Sequence, residues 1–384
     1  MVILEKPFVS VELKGYLEEE QIPVLKNQMA LDVCSDNKCN LMDDESFRKA
    51  LLEAPRIYTT SENALEWIYN NVKDEEMLAA VNVMKDKVLF RKRLQSVYPQ
   101  FFFREMAPEE LKKTDPSSLP FPLILKPSVG FFSIGVYTIY NEDDWKHAVK
   151  EIEEQMDSWK NQFPESVIGS ASFILEEYIE GEEYALDAYF DKEGEPVILN
   201  IMKHDFSSST DVSDRLYYTG KEMIEGKLET FTQYLRVLNC LMGAKNFPVH
   251  IELRVGENKI VPIECNPMRF AGWCTTDLVR FAFGLNTVEY YLKGKKPDWM
   301  ELLKGKEGKL YSLIVLDKPR SEKMPASFDY EALKESFQKV LCLRKLDFKS
   351  YPAFGFLFTE TDSARKEELE NIVRSDLTEY ITWA

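Results

Sequence analysis

The chain has 384 residues, 45% of them hydrophobic, and a formal net charge of −17. That length allows two or three domains around a substantial core. The acidity excludes a surface built for nucleic acid or anionic membrane, where clustered Lys and Arg meet phosphate. The apolar start Met1-Val2-Ile3-Leu4 is broken by Glu5-Lys6 and is too short for a signal peptide. No apolar run reaches the length of a bilayer span, so a cytoplasmic protein is expected. Cys34, Cys39, Cys240, Cys265, Cys274 and Cys342 suit neither zinc spacing nor a disulfide framework and are expected as reduced thiols. His147, His204 and His250 are scattered and give no metal motif.

The first stretch alternates strand and helix: strand Val2–Phe8, helix Val11–Glu20, strand Ile22–Leu25, helix Glu45–Glu53, strand Pro55–Thr59, helix Glu62–Asn70. That rhythm favours a parallel sheet, and no Gly-rich dinucleotide fingerprint follows the first strand. A single helix is expected from Asp74 to Ser96, carrying the basic cluster Lys85, Lys87, Arg91, Lys92 and Arg93. Ala107–Phe121, rich in Pro, Ser and charge, reads as a linker. Strands are expected at Pro122–Lys126 and Val136–Tyr140, a helix at Glu142–Trp159, then strands at Ser172–Tyr178, Glu183–Asp191 and Pro196–Lys203. A helix at Lys227–Met242 precedes a hairpin, Val249–Val255 and Lys259–Cys265, turning at Gly256-Glu257-Asn258. From Leu310 onward the pattern suggests a small separate α/β unit.

Three segments carry chemistry. In the hairpin, period two puts His250, Glu252 and Arg254 on one face and Val249, Ile251, Leu253 and Val255 on the other. The partner strand places Glu264 and Asn266 opposite the face of Val261, Ile263 and Cys265. Glu252 and Glu264 then share a polar face about one position apart, with Asn266 two residues on. Two carboxylates and an amide oxygen suit magnesium, which needs few protein ligands when phosphates complete its shell. A solvated sheet face is the plainer reading of alternation alone, but the following Pro267–Gly272 turn would set the Arg269 guanidinium beside the carboxylates. Next, Lys126 ends an apolar strand and leads into a loop with Gly130, Ser133 and Gly135. Glycines let backbone N–H groups approach phosphate, and the lysine adds a point charge; a snorkelling lysine before a plain loop has the same sequence. Third, the strand through Glu176 and Glu177 turns at Gly181 into a second strand at Glu183. Acidic residues near a sheet edge are usually just solubilising, but this segment could also supply the acceptor, backbone groups and carboxylate that adenine and ribose require.

The order and separation of these segments, from Lys85 to Gly272, resemble the ATP-grasp superfamily, and the layout is similar to carboxylate–amine ligases that make dipeptides or D-alanyl-D-alanine. The resemblance implies an α/β protein of ATP-grasp fold: an N-terminal parallel α/β domain (1–97), a small α+β lid (98–182), a central mixed-sheet domain (183–306) and a small C-terminal α/β extension (307–384). It implies that Lys126 and the Gly130–Gly135 loop hold ATP phosphates, and that Lys203 adds a contact. Glu176 would accept from the adenine amine, the backbone at Tyr178 and Ile179 would meet the ring edge, and Glu183 would bind ribose. Glu252, Glu264 and Asn266 would hold one or two magnesium ions, or manganese in their place, with Arg269 facing the reacting carboxylate. The family's first phosphate lysine falls near Arg91 or Lys92. Phe131 and Phe132 replace the usual small loop residues, and His250 stands where D-alanine-type ligases carry arginine.

The implied activity is ATP-dependent activation of a small carboxylate as an acyl phosphate and its coupling to an amine, in a homodimer. A thiol acceptor, an ATP-grasp kinase and a non-catalytic ATP-binding module are the alternatives. His204, Arg215, Tyr217 and Arg254 are candidates for the substrate pocket.

Overall fold

The computed structural model describes the whole chain except residues 37, 130–134, 163–171, 209–210, 212, 258, 320 and 322, and gives the backbone alone for 155–162. Strands β1 (Val2–Ile3), β2 (Pro23–Leu25), β3 (Asn40–Met42) and β4 (Tyr58–Thr59) form a parallel sheet in the order β3-β2-β1-β4. Between them run the helices Val11–Glu19, Gln28–Val33 and Asp44–Glu53. Each starts at a side chain that accepts an otherwise unpaired backbone N–H: Ser10, Asn27 and Asp43. The first strand is shorter than expected. After Ile3 the ladder gives way, Glu5 N donates to Thr60 Oγ1 at 2.8 Å, and Pro7 has no N–H to continue it. Cys34 and Cys39 are not reduced thiols. The turn between the second helix and β3 brings their Cα atoms to 5.8 Å, and a disulfide joins them.

A second, antiparallel sheet contains β5 (Phe103–Met106), β6 (Leu123–Pro127), β7 (Tyr137–Ile139) and β8 (Phe173–Glu177), in the order β5-β8-β6-β7. The helix Glu142–Gln162 covers it. The sheet has a core of its own, with Met106, Leu125, Trp145 and Leu175 among its members. The expected linker Ala107–Phe121 lies inside this unit: Pro108–Lys113 is helical, because Leu111 is buried in the same core.

The remaining strands are β9 (Glu182–Phe190), β10 (Pro196–Asp205), β11 (Leu216–Gly220), β12 (Phe247–Val255), β13 (Ile260–Pro267), β14 (Lys309–Asp317), β15 (Pro325–Phe328), β16 (Val340–Lys345), β17 (Ala353–Asp362) and β18 (Ile381–Trp383). Eight of them make one antiparallel sheet, β13-β12-β9-β10-β11-β14-β17-β16. The tail therefore does not stand apart: β14, β17 and β16 extend the central sheet, while β15 and β18 pair separately. The helix Lys221–Met242 buries Ile224, Phe231, Leu235, Leu238 and Met242 along one stripe, giving it a face to pack on the sheet. Among the described residues, no helix is long and apolar enough to cross a membrane.

Gly181 joins the second sheet to the central one where two backbones nearly touch. Its φ is +128°, and a Cβ there would lie 2.4 Å from the carbonyl oxygen of Val255. Gly181→Ala is expected to cost about 2–3 kcal/mol through strain and backbone displacement, read as a lowered urea midpoint.

Candidate active site

A cavity of about 750 Å³ opens where the three sheets meet. Its floor is the β12–β13 hairpin. Val249, Ile251 and Leu253 are buried on the core side, and His250, Glu252 and Arg254 line the cavity. The partner strand slips by one residue at Ile263, which lines the cavity beside Glu264 rather than facing the core. The bulge puts Glu252 directly opposite Glu264, closer than the expected offset of one position. Asn266 donates its amide N–H to Glu264 Oε1 at 3.1 Å, so its amide oxygen is the atom left for a cation.

The two carboxylates titrate apart. Burial pushes Glu252 up and the neighbouring Glu264 charge adds to it, against His250. Burial also opposes ionisation of Glu264, but Lys87 and Lys126 outweigh it and hold that carboxyl at about 2. His250 is wedged between Asp187 (2.8 Å from Nδ1) and Glu252 (3.5 Å from Nε2). Burial disfavours its charged form, yet these two acids raise it to about 9.

The basic cluster disperses to separate addresses, because the expected single helix is broken. Asp86 ends Glu75–Lys85 and caps Lys87–Leu94, accepting from Val88 N and Leu89 N. The break turns Lys87 into the cavity, 2.9 Å from Glu264 Oε2. Neither residue expected there lines it. Lys92 is exposed and pairs with Glu105 at 3.0 Å. Arg91 is buried behind the wall, donating Nε to Glu176 at 2.6 Å and Nη1 to Pro262 O at 2.7 Å. Lys87 was legible as the residue after Asp86, a good helix cap in mid-helix.

Lys126 is 2.8 Å from the other oxygen of Glu176, so Glu176 sits 2% exposed between two cations. Burial alone would raise its carboxyl; Arg91 and Lys126 bring it down to about 2. Tyr178, Ile179 and Glu183 continue along the same wall. The Tyr178 N–H is donated to Pro122 O at 3.1 Å. Glu183 binds His204 Nδ1 at 2.9 Å and Arg254 Nε at 3.0 Å. His204 Nε2 meets the Ser213 carbonyl at 3.0 Å, so both ring nitrogens face acceptors; burial opposes the charged form, but Glu183 outweighs it and raises the imidazole above its ordinary value. The ring stacks on Tyr217, whose hydroxyl donates to Asp214 at 2.7 Å.

Arg269 enters the cavity from the turn after β13, donating to Glu62 at 3.0 Å and to Phe270 O at 3.0 Å. Met268 before it has φ +64°, and Thr59 of β4 grips its carbonyl from N–H and hydroxyl alike. Lys203, like Arg91 and Lys92, misses the cavity. Period two on β10 sends Met202 and His204 into the cavity and Lys203 to the other face, where it pairs with Glu182 at 2.7 Å. Arg215 also stays out of the lining, 2.8 Å from Asp317. Gly130 and Ser133 lie outside the described residues; Gly135 is described, with φ +74°, and does not line the cavity.

The model of the ATP-grasp domain family matches residues 119–277. No curated protein matches the chain by sequence. Among solved structures, the chain is similar to an L-amino acid ligase from Bacillus licheniformis (17% identity, TM-score 0.66, covering 100% of this chain and 98% of that one). It is similar also to N5-carboxyaminoimidazole ribonucleotide synthetase from Thermotoga maritima (15%, 0.60, 100% and 98%). A biotin carboxylase from Campylobacter jejuni shares the fold as well (13%, 0.61, 100% and 92%). At these identities the likeness is one of fold, and it runs over the full length of the chain. Residues 119–277, which run from β6 through the β12–β13 hairpin, thus match the ATP-grasp domain family, and the chain as a whole shares the fold of these solved structures.

Proposed function

We propose that the protein is an ATP-dependent ligase that activates a carboxylate as an acyl phosphate and couples it to an amine, releasing ADP and phosphate. The observation that carries this reading is Glu252 facing Glu264 across β12 and β13, with Asn266, Lys87 and Lys126 on the same cavity. The donor set fits magnesium: hard oxygens, few of them, and room for phosphate to complete the shell. When bound, the ion neutralises phosphate charge.

In this reading Lys87 and Lys126 bind the transferring phosphoryl group, and fixed cations stabilise charge spread over its oxygens. Lys87 takes the role first assigned near Arg91 or Lys92. Glu183 orients the ribose, with His204 and Arg254 fixing its carboxylate. The Ile179 N–H meets the adenine edge. Glu176 acts by holding Lys126 in place as much as by touching adenine, since both its oxygens already carry cations. Arg269 orients the acid and faces the oxyanion formed when the amine attacks. The lid over the cavity keeps water from the acyl phosphate.

The test is incubation with ATP, magnesium and pooled carboxylates, with hydroxylamine as trap. A hydroxamate supports the ligase. A stable phosphoester would replace it with a kinase, and absence of ADP with a non-catalytic module. Lys87→Met is expected to raise KM for ATP about tenfold or more, whereas Lys203→Met changes it less than about twofold. Equal effects would overturn the reassignment.

A further inference from the structure

Beyond the carboxylates the cavity continues between the turn after β13 and strand β17. Its far wall is aromatic. Trp273, Tyr351 and Phe356 line it, the Trp273 ring 5.4 Å from Tyr351 at 77° and 5.6 Å from Phe356. Arg269 belongs to the same turn: a Cβ on Gly272 would lie 3.8 Å from its Nη1. A carboxylate held at Arg269 therefore has an apolar wall at hand for the rest of the molecule.

The wall is held in a strained backbone. Trp273 and Cys274 both have left-handed φ, 57° and 55°. Non-glycine residues keep that conformation only where the surroundings fix it. Arg344 of β16 supplies the fixing contact. Its Nη1 donates to the Cys274 carbonyl at 2.9 Å, and its Nη2 meets Glu12 at 2.7 Å and Asp277 at 2.6 Å. The guanidinium also lies 4.9 Å over the Phe358 ring. One planar fork thus ties the N-terminal helix, the turn and the last strands together, a geometry that the point charge of a lysine does not reproduce.

We propose that Trp273, Tyr351 and Phe356 form a specificity subsite for an aromatic or branched apolar group on the activated acid, and that Arg344 is the positioning residue that sets this wall through Cys274. The inference rests on the ligase reading for the chemistry of its ligand. The tail that extends the central sheet then does more than complete it: β17 selects substrate.

The experiment uses the full chain with ATP, magnesium, hydroxylamine and a series from acetate through 4-methylvalerate to 3-phenylpropionate. Hydroxamate formation is expected to rise about tenfold or more in kcat/KM along the series. Tyr351→Ala, at a half-buried position, loses about tenfold on 3-phenylpropionate and less than about threefold on acetate. Arg344→Lys shows the same selective loss; a merely structural role would lower all acids alike. Binding without ATP is read separately, as quenching of the Trp273 emission by difference from Trp273→Phe. A flat series with hydroxamate formed overturns the subsite and spares the ligase. No hydroxamate, with 3-phenylpropionate still quenching more tightly than acetate, overturns the ligase and spares the subsite. No hydroxamate and no size-dependent quenching overturns the subsite too.

Discussion

Glu264→Ala lowers ADP release by about a thousandfold or more while the protein stays folded. The carboxylate faces Glu252 across the bulge and lies 2.9 Å from Lys87. In the proposed site it is a magnesium ligand, and losing one forfeits about 4 kcal/mol of charge stabilisation in the transition state. The fold survives because relief of the like charge on Glu252 offsets part of the lost contact with Lys87. The Glu264 side chain is also 23% exposed, so the gap it leaves is filled by water. The pair of measurements is ADP release under saturating ATP and the circular-dichroism melt. ADP release within tenfold of the parent, in a protein with an unchanged melt, removes the metal assignment.

Glu176→Ala has its largest effect on stability. Arg91 and Lys126 both end on this carboxylate, and all three side chains are at most 5% exposed. Removing the shared acid leaves two buried cations uncompensated, which costs about 3–5 kcal/mol. The urea midpoint falls accordingly. A pH series separates charge from packing. The folded carboxyl lies at about 2 against an ordinary 4.5, so its contribution is fully present above 4.5 and is lost as pH falls towards 2. That depression corresponds to about 3 kcal/mol. Glu176→Gln keeps the shape and removes the titration, so the difference in stability between parent and variant shrinks across that window. A difference that stays constant from pH 5 to pH 2 contradicts the buried triad.

The parts of the site that strict alternation encodes were legible. On β12 the period of two carries Glu252 to the cavity and Leu253 to the core, and a reader of the sequence sees it directly. Where the geometry departs from regular period, the sequence misleads: the bulge at Ile263 changes the pairing. Two other residues were misplaced although their signals were present, Lys87 behind the Asp86 cap that breaks the helix and Lys203 between the inward Met202 and His204 of β10. The parallel N-terminal sheet followed from its strand–helix rhythm. The union of the tail with the central sheet did not, because β14 is joined to β11 by pairing across nearly a hundred residues, and nothing local marks it. Arg344 was invisible for the same reason: its partners Glu12 and Asp277 are far off in the chain. The Cys34–Cys39 disulfide was missed because spacing alone says nothing of the turn that closes it.

The antiparallel sheet of β5 to β8 owns a core that shares no residue with the others, and the Arg91–Glu176–Lys126 contacts lie at its root. Arg91 comes from a helix whose Phe90 and Leu94 belong to the main core, so this buried ion cluster couples the stability of one core to that of the other.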